Sequence, residues 1–174
     1  AWDWGDRGDH RDMRLIYAAW HYMASDAAAR MADLVGKTQD AYLFRQKMTQ
    51  VKRGYNACWT GKAYRHPTFT GDTDDRVQAL AIISGIADTD KYPAISKLLR
   101  TQKHASPYME KYVMESLFQM GDGEYAMERA HERYHHMVMD SLHTTLYEGW
   151  LAGANGFGGG TTNHAWSGGP LTVI

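Results

Sequence analysis

Four short segments of this chain bring together side chains whose types and spacing suit chemistry. His131-Glu132-Arg133-Tyr134-His135 has the H-E-x-x-H pattern, which on a helix sets two imidazoles on one face for zinc with a carboxylate beside them as base. Its usual extensions are missing, because Val138 stands where a glycine follows in such sites and no glutamate lies at the spacing of a third ligand. The surrounding Glu128, Arg129, Glu132 and Arg133 read instead as a solvated helix face. Near the start, Asp3, Asp6, Asp9 and Asp12 recur every third residue beside Trp2 and Trp4. That spacing does not reproduce a calcium loop. Asp9 and Asp12 suit the positive end of a helix, whereas Trp2 and Trp4 next to Asp3 and Asp6 suit a sugar, whose C–H face stacks while its hydroxyls donate hydrogen bonds.

The other two segments lie late in the chain. Glu148 sits between Tyr147 and Trp150, where burial can raise a carboxyl toward the range useful in acid/base work, although a solvent-exposed helix-terminal glutamate fits the same spacing equally well. Asn163-His164-Ala165-Trp166-Ser167-Gly168 gathers sugar-binding residue types in a glycine-supported turn, and a turn with a packing tryptophan accounts for them nearly as well.

Helices must position these groups. Met13, Ile16, Trp20, Met23, Ala27, Met31 and Leu34 advance by threes and fours and predict one helix ended by Gly36. Ala41, Phe44, Met48, Val51, Tyr55 and Cys58 predict a second, begun at Thr38 and paired with the first as a hairpin. Residues 59–72 predict a small β-turn excursion. Further helices follow from Thr73 to Gly85, after Pro93, from Tyr108 to Met120, and from Glu124 to about Met139. The count is about six helices in consecutive hairpins over residues 11–139, an all-α architecture. Eight of the seventeen glycines lie in residues 149–174, so residues 140–170 read as a loop on a helical scaffold, since each interior Gly costs a helix about 1 kcal/mol relative to Ala.

Composition narrows the function classes. With 174 residues and a net charge of -1, the chain has no cationic surplus for a phosphate backbone or a basic membrane face. No apolar run approaches a membrane span, and residues 1–30 lack a signal-peptide pattern. One cysteine, Cys58, leaves the compartment open.

Together the segments resemble the C-terminal half of the catalytic domain of bacterial α-L-rhamnosidases, glycoside hydrolase family 78. Thr144-Thr145-Leu146-Tyr147-Glu148-Gly149-Trp150 is similar to the family's Thr-Thr-x-x-Glu-x-Trp segment, and Asn163-His164-Ala165-Trp166-Ser167-Gly168 to its Asn-His-x-x-x-Gly turn. Trp4-Gly5-Asp6, the pair Asp33-Leu34-Val35-Gly36-Lys37 and Asp40-Ala41, and Gln78 in Arg76-Val77-Gln78-Ala79-Leu80 also resemble family features. The resemblance spans nearly the whole chain. It implies half of an (α/α)6 six-hairpin toroid, hydrolysis of terminal α-L-rhamnosyl residues with inversion, and Glu148 as the general base. It further implies a sugar site holding His164, Asp6, Trp4, Trp150 and Asn163, with no cofactor and no metal.

Two departures accompany it. The family's acid lies in an Arg-Asp-Glu loop that this sequence lacks, and Arg7 stands where many relatives carry Trp. The chain, beginning without Met on aromatics and ending on an apolar run, reads as part of a larger domain. The expectation is therefore little hydrolysis alone and self-association through exposed hairpin faces. Another six-hairpin carbohydrase, or a helical binding module, is the alternative.

Overall fold

The computed structural model describes residue 3, residues 11–152 and residues 160–174. Six α-helices run along these residues: α1 Met13–Leu34, α2 Thr38–Asn56, α3 Asp75–Ile83, α4 Tyr92–Leu99, α5 Pro107–Gln119 and α6 Gly123–Val138. No helix among the described residues is long and apolar enough to cross a membrane.

α1 and α2 pack as a hairpin around Gly36, whose φ of 73° is the left-handed conformation a tight helix stop needs. The β-turn expected after α2 forms as a single antiparallel bridge between Trp59 and Tyr64. Gln78 holds it to the core. Its amide Nε2 donates to the Tyr64 carbonyl at 2.7 Å while its Oε1 accepts from the Tyr64 N–H at 2.8 Å, so one buried side chain satisfies both polar groups of a buried backbone unit.

α3 is the centre of the molecule, with eight of its nine residues buried. It starts two residues later than the spacing predicts, because Asp74 caps it by accepting from the Arg76 N–H at 3.0 Å. Tyr55 ties α2 to it by donating to the Val77 carbonyl at 2.8 Å. α5 lies against α3 and is entered through Ser106, which accepts from the Met109 N–H at 3.3 Å, followed by Pro107 in the first turn. α6 then returns along α5.

The face expected to be solvated is partly interior. Arg129 is completely buried, where its Nε donates to Glu110 at 2.5 Å and its Nη2 to Asp75 at 2.9 Å. Arg133, one turn on, donates to Glu110 at 2.5 Å and to the Ala105 carbonyl at 2.8 Å. Alternating charges four residues apart are therefore divided between two environments: Glu128 and Glu132 face outward, while the arginines reach inward to carboxylates on α5 and α3. A second buried network holds Arg76 between Asp74, at 2.7 Å, and Asp3, at 2.6 Å. Burial pushes the Asp74 carboxyl up to about 6, against the opposing pull of Arg76.

Asp12 stands at the start of α1, as expected, but its carboxylate does not cap that helix. It accepts from the His66 N–H at 2.7 Å instead, fastening the turn segment to the N-terminal end of α1. Residues 165–172, expected as loop, wind into 3-10 turns against α5. Glycine serves close contact there rather than freedom, since a Cβ at Gly169 would lie 3.2 Å from the Cβ of Lys111.

Candidate active site

The start of α5 collects the segments that carry the candidate residues. Asp3 is buried against it, its Oδ2 accepting from the Ser106 N–H at 3.0 Å as well as from Arg76. Trp150 donates its indole N–H to the Ala105 carbonyl at 2.7 Å. Tyr134 of α6 donates to the Pro107 carbonyl at 2.8 Å. Tyr108 packs its ring 5.3 Å from that of Trp166.

Asp140 shapes the approach to Glu148. One carboxylate oxygen accepts from the N–H groups of Leu142, at 2.8 Å, and His143, the short-range pattern that turns a chain leaving a helix. The other accepts from the Tyr147 hydroxyl and from His143 Nδ1. These bonds, the one from Tyr147 first, hold the Asp140 carboxyl well below the ordinary carboxylate range. Tyr147 itself is buried, and Ser167 donates to its carbonyl at 2.5 Å.

This contact has a pH consequence. A carboxyl whose pKa is lower in the folded state favours folding above its unfolded value, about 3.9, and that contribution is lost as pH falls toward the folded value. Tyr147→Phe removes the largest cause of the shift. The loss of near-ultraviolet circular dichroism on acidification from pH 5 to 2 is therefore expected at higher pH in the variant, and coincident acid limbs would contradict the role assigned to this bond.

Beyond Tyr147 the chain pairs with the segment that follows the glycine-rich stretch. The Glu148 N–H donates to the Thr161 carbonyl at 2.9 Å, the His164 N–H donates to the Leu146 carbonyl at 2.9 Å, and the Thr145 hydroxyl donates to the Thr162 carbonyl. The two signature segments thus lie side by side, running in opposite directions. Glu148 is half-buried, and its Oε2 accepts from the Thr161 hydroxyl at 3.1 Å and N–H at 3.4 Å. No donor among the described residues reaches Oε1. A carboxylate so held has its Oε2 fixed on Thr161.

His164 stacks on Trp166 with ring centres 3.9 Å apart and planes 23° from parallel, and its buried Nδ1 has no hydrogen-bond partner among the described residues. Asn163 is exposed beside it. Trp150 is embedded more fully than a free stacking platform: Arg133 lies 4.0 Å over its ring, Tyr134 meets its edge at 5.0 Å, and its carbonyl bonds His136 at 2.6 Å. Trp4 and Asp6 lie outside the described residues. At the H-E-x-x-H segment Glu132 pairs with Lys103, and no group of three potential metal ligands occurs among the described residues.

Asp3, expected beside the tryptophans as a carboxylate for sugar hydroxyls, is instead buried on Arg76 and the Ser106 N–H, and Tyr108 was expected only as part of a helix. Asp3 has a buried Oδ1 without a hydrogen-bond partner, and it borders a cavity of about 170 Å³ shared with Arg11, Trp20, Arg76 and Tyr108. Its place in an aspartate run gave no sign that it, among four, would meet a buried arginine from α3. Tyr108 had only its helical spacing to mark it.

No curated protein sequence matches the chain. Among solved structures, that of a GH78 family rhamnosidase of Bacillus sp. GL1 superposes with a TM-score of 0.61 at 18% identity, a likeness of fold. The match covers 86% of this chain and 17% of that one, so the chain spans less than a fifth of the length of this relative. The family described as bacterial alpha-L-rhamnosidase 6 hairpin glycosidase domain matches residues 1–174. All-helical hairpins, paired signature segments and a match over every residue place the chain in the bacterial alpha-L-rhamnosidase six-hairpin glycosidase family.

Proposed function

We propose that this chain supplies the general base and part of the sugar site for inverting hydrolysis of terminal α-L-rhamnosyl residues. The observation that carries the proposal is the pairing of residues 145–148 with residues 161–164, which joins the Glu148 carboxylate and the His164 ring in one assembly on the first turn of α5. In an inverting glycosidase one carboxyl protonates the leaving oxygen, while the other, about 6.5–9.5 Å away, takes a proton from the water that attacks the opposite face. Glu148 has the second role. Its Oε2 is anchored on Thr161, and the other oxygen orients and deprotonates the water.

His164 and Asn163 line the sugar, with Asp6 and Trp4 contributed from the N-terminal segment. Trp150 sets the position of the Glu148 segment through its bond to Ala105 and borders the sugar with its remaining edge. The acid comes from a segment outside this sequence, which contains no Arg-Asp-Glu. Six helices correspond to about half of a six-hairpin toroid, and the contiguous apolar groove lined by Val138, Leu146, Leu171 and Ile174 favours self-association of the isolated chain.

An enzyme carrying this domain is expected to release L-rhamnose from an aryl α-L-rhamnoside in preference to other aryl glycosides. The 174-residue chain alone is expected to give no appreciable turnover. Robust hydrolysis by the isolated chain would contradict an external acid, and preference for another aryl glycoside would move the proposal to a different sugar.

A further inference from the structure

His131 and His135 take no part in the carbohydrate site, yet their arrangement suits a different ligand. Residues four apart on a helix lie one above the other on the same face. Both side chains are exposed, their ring centres are 5.2 Å apart, and the planes are tilted by 49°. A cation bonded to one nitrogen of each ring at about 2.0–2.1 Å sits roughly 3.2 Å from each ring centre. Ring centres roughly 4.5–5.2 Å apart then correspond to angles at the metal from square-planar to tetrahedral. The observed spacing lies at the tetrahedral end of that span, and exposed imidazoles reach the rest by small rotations.

The scaffold under the pair is fixed. Arg129 and Arg133 clamp the inward side of α6 to Glu110, so the backbone that spaces the two histidines is held in the fold. Other nearby imidazoles are already engaged, His136 with the Trp150 carbonyl at 2.6 Å and His143 with Asp140 at 2.9 Å. Neither the His131 ring nor the His135 ring has a hydrogen-bond partner among the described residues. Glu132 is occupied by Lys103, which leaves two protein ligands and the remaining positions to water.

We infer that His131 and His135 form a two-imidazole chelate for an exchangeable divalent cation on the outer face of α6. Nitrogen ligands select borderline cations, and the general affinity order puts copper(II) above nickel(II) and zinc(II). With water completing the coordination shell the cation exchanges readily. This differs from a closed structural zinc site.

The test titrates the 174-residue chain with copper(II) chloride and, separately, zinc chloride by calorimetry, while histidine ring signals are followed by NMR. One copper equivalent is expected, with paramagnetic broadening centred on His131 and His135 and weaker zinc binding at the same place. His131→Ala and His135→Ala each weaken copper binding at least about tenfold, and His21→Ala, at an exposed site on α1, leaves it unchanged. Both substitutions are at exposed positions, and circular dichroism checks that the helices are retained. An unchanged copper equivalent in the two single variants, broadening centred on other histidines, or no binding to the unsubstituted chain would overturn the inference.

Discussion

Glu148→Gln, introduced into the enzyme that carries this domain, is expected to lower kcat about 10²–10⁴-fold while KM changes little. Glutamine keeps the shape of the side chain and an oxygen able to accept from Thr161, so the paired segments stay in place. It cannot accept a proton from water. The loss therefore falls on the chemical step. Azide, a nucleophile that needs no deprotonation, should partly restore turnover and give the inverted glycosyl azide. Near-normal activity in the variant would remove Glu148 from the mechanism, and a raised KM with unchanged kcat would reassign it to sugar binding.

Arg129→Met is expected to produce the largest loss of stability. Methionine fills much of the volume but leaves Glu110 and Asp75, both completely buried, without their shared cation. It also abandons the Leu99 and Gln102 carbonyls, which accept from Arg129 Nη1 at 2.5 and 2.9 Å. Removing one partner of a buried ion network costs about 3–5 kcal/mol, which for a chain of this size lowers Tm by about 10 °C. Lysine does not repair the defect, because a single ammonium cannot bond two carboxylates and two carbonyls in the planes the guanidinium occupies. Arg30→Ala is the matching control. Arg30 meets Asp26 at 2.9 Å with both side chains well exposed, and its loss is expected within about 0.5 kcal/mol. A melting point for Arg129→Met within 2 °C of the parent, about the size of a surface effect, would contradict this account of the core.

The elements were legible because their signals are local. Apolar spacing and the stops at Gly36, Gly85 and Gly121, all with positive φ, mark the helices within one or two residues. Glu148 and His164 are singled out by resemblance to family motifs and not by periodicity or composition. Periodicity could not tell an arginine that faces water from one that crosses into the core. Arg129 and Arg133 look in sequence like the rest of a charged face, and only Glu110 and Asp75, brought near by α5 and α3, make their burial possible. The burial of Asp3 was illegible for the same reason, its partners Arg76 and Ser106 being distant in the chain. The 3-10 turns of residues 165–172 escaped a reading based on glycine content. They rest on the Ser167 bond to Tyr147 and the close approach of Gly169 to α5, contacts that composition does not encode.

The central claim is that Glu148 activates water on the face opposite the leaving group. The anomeric configuration of the first-formed sugar, followed by proton NMR before mutarotation, tests it most directly in the enzyme that carries this domain. Hydrolysis of an aryl α-L-rhamnoside is predicted to give β-L-rhamnose first. Initial release of the α-anomer would mean retention through a covalent intermediate, with the carboxyls about 5–5.5 Å apart, and would contradict the role of Glu148 as a base acting on water.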